Sequence, residues 1–115
     1  MNVYTVAFSG NGFLMVLNPK RGGWEMPGGK MEENESTVDA AKREYLEESG
    51  YTIDVVSVNE INGCNVCAAY LLEKVSNGEL ASKMFTELPD DLSFERSEYD
   101  GVLEWARSVT GRETK

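Results

Sequence analysis

Apolar residues fall into short runs broken by polar, glycine-bearing stretches, and the spacing inside the runs changes along the chain. VYTVAF (3–8) and FLMVL (13–17) are short, β-branched and aromatic runs, and the SGNG between them predicts two strands joined by a tight turn. NPKRGG (18–23) reads as a loop, and WEM leads into Pro27-Gly28-Gly29, which should stop a strand. From Ser36 or Thr37, either one a possible N-cap, a helix is expected to Ser49, with Gly50 just past its end. TIDVVSVNEI (52–61) and NVCAAYLLEKV (65–75) predict two further strands around Asn62-Gly63. LASKMFTEL fits a strand that leaves at Leu88-Pro89, and SEYDGVLEWARSV (97–109) has apolar residues at 102, 103, 105 and 109, a spacing that suits a closing amphipathic helix. Strands with one internal and one terminal helix imply an α+β or mixed α/β sandwich.

The 36–49 helix carries the most informative polar pattern. At 100° per residue and with Glu44 as zero, Glu48 falls at about +40° and Glu47 at about −60°, so three carboxylates share an arc about 100° wide. Val38, Ala41 and Tyr45 form an apolar stripe beside that arc, which puts the acids at the rim of the core. Lys42, Leu46 and Asp39 are left to the solvent face. Like charges at these spacings cost a helix about 0.2–0.5 kcal/mol per pair, and an acid in the last turn opposes the helix dipole by about 0.3–1 kcal/mol. Folding alone would favour lysines there. The pattern suits oxygen ligands awaiting a hard divalent cation, with Arg43 and Glu35 placed to hold them. A merely solvated Glu-rich helix is the competing reading.

Composition narrows the function classes. A chain of 115 residues, 41% hydrophobic, can bury one modest core, so a single domain over 1–115 is expected. The net charge of −9 argues against a nucleic-acid polymer as partner, though a polyanionic small molecule can approach once cations neutralise local carboxylates. No apolar run is long enough for a bilayer and the N-terminus lacks the features of a signal peptide, so no membrane partner and a cytoplasmic location are expected. With no histidine in the sequence, Cys64 and Cys67 alone cannot complete a zinc site and read as reduced strand or turn residues.

Gly29, Glu35, Arg43-Glu44, Glu47-Glu48 and Gly50, with bulky Tyr45 and Tyr51 between and after, resemble the signature of the Nudix hydrolase family in every fixed position. The tyrosines stand where aliphatic residues are more usual. WEMPGGK (24–30) is similar to the segment before that signature in mutator-type members, and MFTELPDDLSF with EYDGVLEWA is similar, less specifically, to the C-terminal region of small nucleoside triphosphate-hydrolysing members.

The resemblance implies an α/β/α sandwich with a mixed sheet and metal-dependent hydrolysis of a nucleoside diphosphate-linked nucleotide. A (deoxy)nucleoside triphosphate, oxidised or not, would give a monophosphate and pyrophosphate. It implies Mg²⁺ or Mn²⁺ on Glu44, Glu47 and Glu48 with the Gly28 carbonyl, oriented by Arg43 and Glu35. Lys20 and Arg21, and less so Lys30, are candidates for gripping phosphates, or else solubilising loop charges. Lys83 stands near where some mutator-type members carry an acid. Glu47 or Glu44 is therefore the expected base, with Glu79, Glu87, Glu95 and Glu98 as alternatives. Phe8, Phe13, Tyr4 and Met84 could stack on a base, although core positions suit them better. Small members often pair, so a homodimer is one expectation. The rivals from other classes are a catalytically silent nucleotide-sensing or protein-binding module and a simple acidic metal-binding or interaction domain.

Overall fold

The computed structural model describes residues 1–111. Its elements are β1 (Asn2–Ser9), β2 (Gly12–Asn18), β3 (Gly23–Glu25), β4 (Gly28–Lys30), α1 (Thr37–Ser49), β5 (Tyr51–Ile61), β6 (Cys64–Lys74), β7 (Ala81–Phe85) and α2 (Arg96–Thr110). The expected strands and both helices are present. Only β4 was not expected, because a Gly-Gly-Lys run carries no strand propensity.

All the strands belong to one mixed sheet with the path β3-β2-β1-β6-β5. β1 and β6 run parallel from Val3↔Asn65 to Phe8↔Tyr70, and β5 and β6 form a long antiparallel hairpin. Asn62 and Gly63 turn that hairpin with φ of 52° and 80°, the left-handed pair that a two-residue turn of this hand requires.

Strand alternation then sorts the core into two layers. Val6, Phe8, Phe13, Met15, Val66 and Ala68 face Val102, Leu103 and Ala106 of α2. Val3, Ala7, Leu14, Val16, Cys67 and Ala69 face Ala40, Ala41 and Tyr45 of α1. The sheet is therefore sandwiched between α1 and α2, the α/β/α architecture. Cys64 and Cys67 lie three residues apart along one extended strand, Cys64 half-buried and Cys67 buried, and both thiols are free. Among the described residues no helix is long and apolar enough to cross a membrane.

One irregularity positions the site. Phe13 pairs with both Phe8 and Phe85, and Val16 with both Glu25 and Ser82. β7 thus takes one edge of β2, while β1 and β3 share the other. β1 and β2 part just beyond their turn, and residues 23–30 fill the gap, β3 on β2 and β4 on β1. Pro27 has no N–H to offer either strand, but its carbonyl accepts from Thr5 N–H at 3.0 Å. Gly28 lies so close to β1 that a Cβ there would run into the Val3 carbonyl and the Tyr4 side chain. Only glycine lets this wedge close.

Candidate active site

Helix α1 begins as the sequence reading expected. Ser36 accepts Asp39 N–H on its hydroxyl at 3.1 Å, and Gly50 ends the helix in the left-handed region at φ 81°. Ala40, Ala41 and Tyr45 are buried against the sheet, and burial of a side chain as large as Tyr45 contributes about 1.5–3 kcal/mol, more than any one charge penalty at the helix end.

The unfavourable C-terminus is also relieved by a loop that charge spacing did not reveal. Glu79 N–H donates to the Glu47 carbonyl at 2.9 Å, Leu80 N–H to the Glu48 carbonyl at 3.0 Å, and Val75 and Ser76 N–H to the Gly50 carbonyl. Carbonyls left open by the helix are thereby capped. The packing is so close that a Cβ on Gly78 would collide with the Glu48 carbonyl, and one on Gly50 with Ser76.

Arg43 organises the acids. Its Nε donates to Glu35 Oε2 at 2.7 Å and its Nη2 to Glu35 Oε1 at 2.9 Å, a two-pronged pair. Nη2 also reaches the Lys30 carbonyl at 3.1 Å, and Nη1 reaches Glu44 Oε1 at 2.7 Å and Glu47 Oε2 at 3.4 Å. The Arg43 hydrogen bonds, helped by the Glu32 N–H, hold the Glu35 carboxyl down at about 2, and Arg43 itself is driven further toward its charged form.

The Gly28-Gly29 ribbon lies against this face of the helix. Gly28 N–H donates to Glu48 Oε1 at 2.9 Å, and Gly29 leaves no room for a Cβ beside the Glu44 carboxylate. Burial pushes the Glu48 carboxyl up to about 7, with the Gly28 N–H opposing and the charges of Glu44, Glu25 and Glu79 adding to the rise. A half-buried carboxylate in an acidic neighbourhood favours a proton, or a cation in its place.

As donors, Glu44, Glu47 and Glu48 suit a hard divalent cation. They are not drawn into a closed set, since among the described residues no group of three acidic or thiol side chains is arranged to hold an ion. Arg43 lies between Glu44 and Glu47, and Glu47 is largely exposed.

On the other side of the ribbon opens a cleft of about 480 Å³, whose lining includes Tyr4, Arg21, Gly28, Gly29, Phe94 and Glu98. Of the cations singled out from the sequence, Arg21 alone lines it. Lys20 is exposed on the preceding turn, and Lys30 is exposed at the end of β4 with its carbonyl rather than its ammonium engaged. Arg21 is held by Glu25 through Nε and Nη2 at 3.1 and 3.3 Å, and its guanidinium lies 5.2 Å from the centre of the Phe94 ring.

Glu25 was missed by the sequence reading, although an acid inside the otherwise apolar GWEMPGG is a usable signal. Burial would raise its carboxyl, but hydrogen bonds from Arg21 and Asn18 and the Arg21 charge hold it below its usual value. The aromatic candidates also divide. Phe8 and Phe13 are fully buried core, Met84 lies exposed on β7, and Tyr4 alone lines the cleft, where Phe94 and Tyr99 join it. Phe94 had one visible sign, an isolated aromatic inside the polar stretch DDLSFERSE. Lys83 is exposed on β7 opposite Met15, with its ammonium 5.4 Å from the Phe85 ring centre.

The family profile described as NUDIX domain matches residues 1–105. The chain belongs to the Nudix family. A 40-residue stretch is 52% identical to the uncharacterized Nudix hydrolase YvcI of Bacillus subtilis, covering 35% of this chain and 25% of that protein. Among solved structures, a Nudix hydrolase from Nitrosomonas europaea superposes with a TM-score of 0.70 at 24% identity, over 96% of this chain and 71% of that one. An ADP-ribose pyrophosphatase from Streptococcus suis gives 0.72 at 24% identity, over 92% and 90%. A MutT Nudix hydrolase from Burkholderia pseudomallei gives 0.55 at 22% identity, over 89% and 94%. These likenesses establish the Nudix fold.

Proposed function

We propose that this Nudix protein is a metal-dependent pyrophosphohydrolase acting on a nucleoside diphosphate-linked compound, with a (deoxy)nucleoside triphosphate as the favoured substrate and nucleoside monophosphate and pyrophosphate as products. The observation that carries this reading is the pairing of an acidic helix face with a side-chain-free ribbon: Glu48 on Gly28 N–H, and Glu44 against Gly29. A helix built for stability alone would not carry Glu44, Glu47 and Glu48 near its C-terminus with no basic residue in its last turn.

Glu44, Glu47 and Glu48, with the Gly28 carbonyl, would hold Mg²⁺ or Mn²⁺. The bound cation supplies charge neutralisation of the phosphates and a more acidic water. Arg43 and Glu35 fix where the carboxylates point, and the Gly28-Gly29 backbone lets a diphosphate approach without meeting a Cβ. Glu47, the most exposed of the trio, or Glu44 accepts the proton of the attacking water. Arg21, at the cleft, takes the outer phosphates, assisted by Lys20 and Lys30 from solvent.

The streptococcal neighbour's name suggests ADP-ribose as a second substrate to include. The test is pyrophosphate or phosphate release from a panel of nucleotides with Mg²⁺, for the parent, Glu47→Gln and Glu48→Gln. Both variants should lose at least about a hundredfold in kcat, on the order of one essential charged group. Unchanged activity in both overturns the assignment, and no turnover of any nucleotide favours a silent sensing module instead.

A further inference from the structure

The phosphate-binding reading leaves unused an aromatic set and a carboxylate that line the same cleft. Phe94 is 48% exposed, with its ring 6.4 Å from Tyr99 and Arg21 stacked 5.2 Å from its centre. A large ring left half in water next to a concave wall is a platform for another flat ring. Tyr4, on β1, lines the same cleft, as does Glu98 in the first turn of α2.

Glu98 differs from the other acid there. Glu25 is occupied by Arg21 and Asn18, whereas the Glu98 carboxylate has no hydrogen bond or ion pair among the described residues. Its charge reaches Tyr4 and Tyr99 and contributes to raising both phenols, after burial. An ionised carboxylate only accepts hydrogen bonds. The neighbouring Asn2 and Asn62 amides offer donors and acceptors alike and so do not discriminate between ring edges.

We propose that Glu98 is a specificity-determining residue: the base stacks on Phe94 beside Tyr4, and Glu98 selects rings that turn adjacent N–H donors toward it. This rests on the nucleotide-hydrolase reading above. A ring with fewer donors at that edge makes fewer charge-assisted hydrogen bonds to the exposed Glu98 carboxylate.

GTP and ITP differ by one exocyclic amino group and make the direct probe. With Mg²⁺, the parent should favour GTP over ITP by at least about fivefold in kcat/KM, mostly through KM, as expected for one charge-assisted hydrogen bond. Glu98→Ala should bring the ratio close to one, and Glu98→Asp should restore part of it. Phe94→Ala should raise KM for both nucleotides and leave their ratio in place. A parent with no preference or favouring ITP, or a ratio unmoved in Glu98→Ala, overturns the inference. If the parent turns over neither nucleotide, calorimetric binding of the same pair decides the base question, and the hydrolase reading itself falls only when no other nucleotide of the panel is turned over. Tighter GTP binding in the parent that equalises in Glu98→Ala supports the inference, and equal binding in the parent overturns it.

Discussion

Arg43 and Glu35 meet as a two-pronged pair, Nε on Oε2 at 2.7 Å and Nη2 on Oε1 at 2.9 Å, joining the middle of α1 to the loop before it. The same guanidinium continues to Glu44, so the pair sets the position of an acid on the proposed cation site.

The first prediction concerns pH. The Glu35 carboxyl is depressed in the fold from 4.5 to about 2, with the Arg43 hydrogen bonds as the main cause. An acid with a lowered folded pKa binds fewer protons folded than unfolded, so its stabilisation is complete above 4.5 and is lost as pH falls toward 2. Thermal melts of the parent and Glu35→Gln should therefore show a Tm gap that is constant above about pH 5 and narrows steadily below it. A gap that does not change with pH would mean that the ion pair is not its source.

Replacing the two ribbon glycines should separate stability from function. Gly28→Ala forces a Cβ into the β1 backbone and should cost about 1–3 kcal/mol in denaturant unfolding. Gly29→Ala meets first the movable Glu44 carboxylate, so the fold should survive. Displacing that carboxylate should weaken Mg²⁺ binding by about 10–100-fold in calorimetry.

Tyr45 carries the opposite expectation. Its ring fills the core beneath α1, but its hydroxyl is buried with no hydrogen-bond partner among the described residues. Tyr45→Phe keeps the packing and removes an unsatisfied polar atom, so stability should rise by about 1 kcal/mol. A fall in Tm would show that the hydroxyl is satisfied in solution.

The loop that caps α1 should be sensitive at Gly78, which stands at φ +73° where an added Cβ would collide with the Glu48 carbonyl. Gly78→Ala should cost about 1–3 kcal/mol and speed hydrogen exchange at Glu79 and Leu80. Mg²⁺ binding should weaken with it, because Glu47 and Glu48 sit on the turn that the loop holds. Unchanged exchange at those two amides would mean that the cap does not depend on Gly78.

Much of the fold was legible from local pattern. Alternation marked β1, β2, β5 and β6, Ser36 and Gly50 bracketed α1, and the fixed spacing of Gly29, Arg43, Glu44, Glu47 and Glu48 placed the chain in its family before any coordinates. These features depend on residues a few positions apart, and local stereochemistry decides them. Tertiary structure decided the rest. β4 exists because β1 and β2 part, not because Gly-Gly-Lys prefers to be extended. Arg21, a candidate phosphate grip or solubilising charge from the sequence, is held by Glu25 and lies over the Phe94 ring, and Phe94 itself reaches the cleft from far along the chain. The acids' helix end, costly by sequence alone, is capped by residues 75–80. Hydrogen bonds and close approaches between segments distant in sequence leave no periodic trace in composition or spacing, so only the folded chain could disclose them.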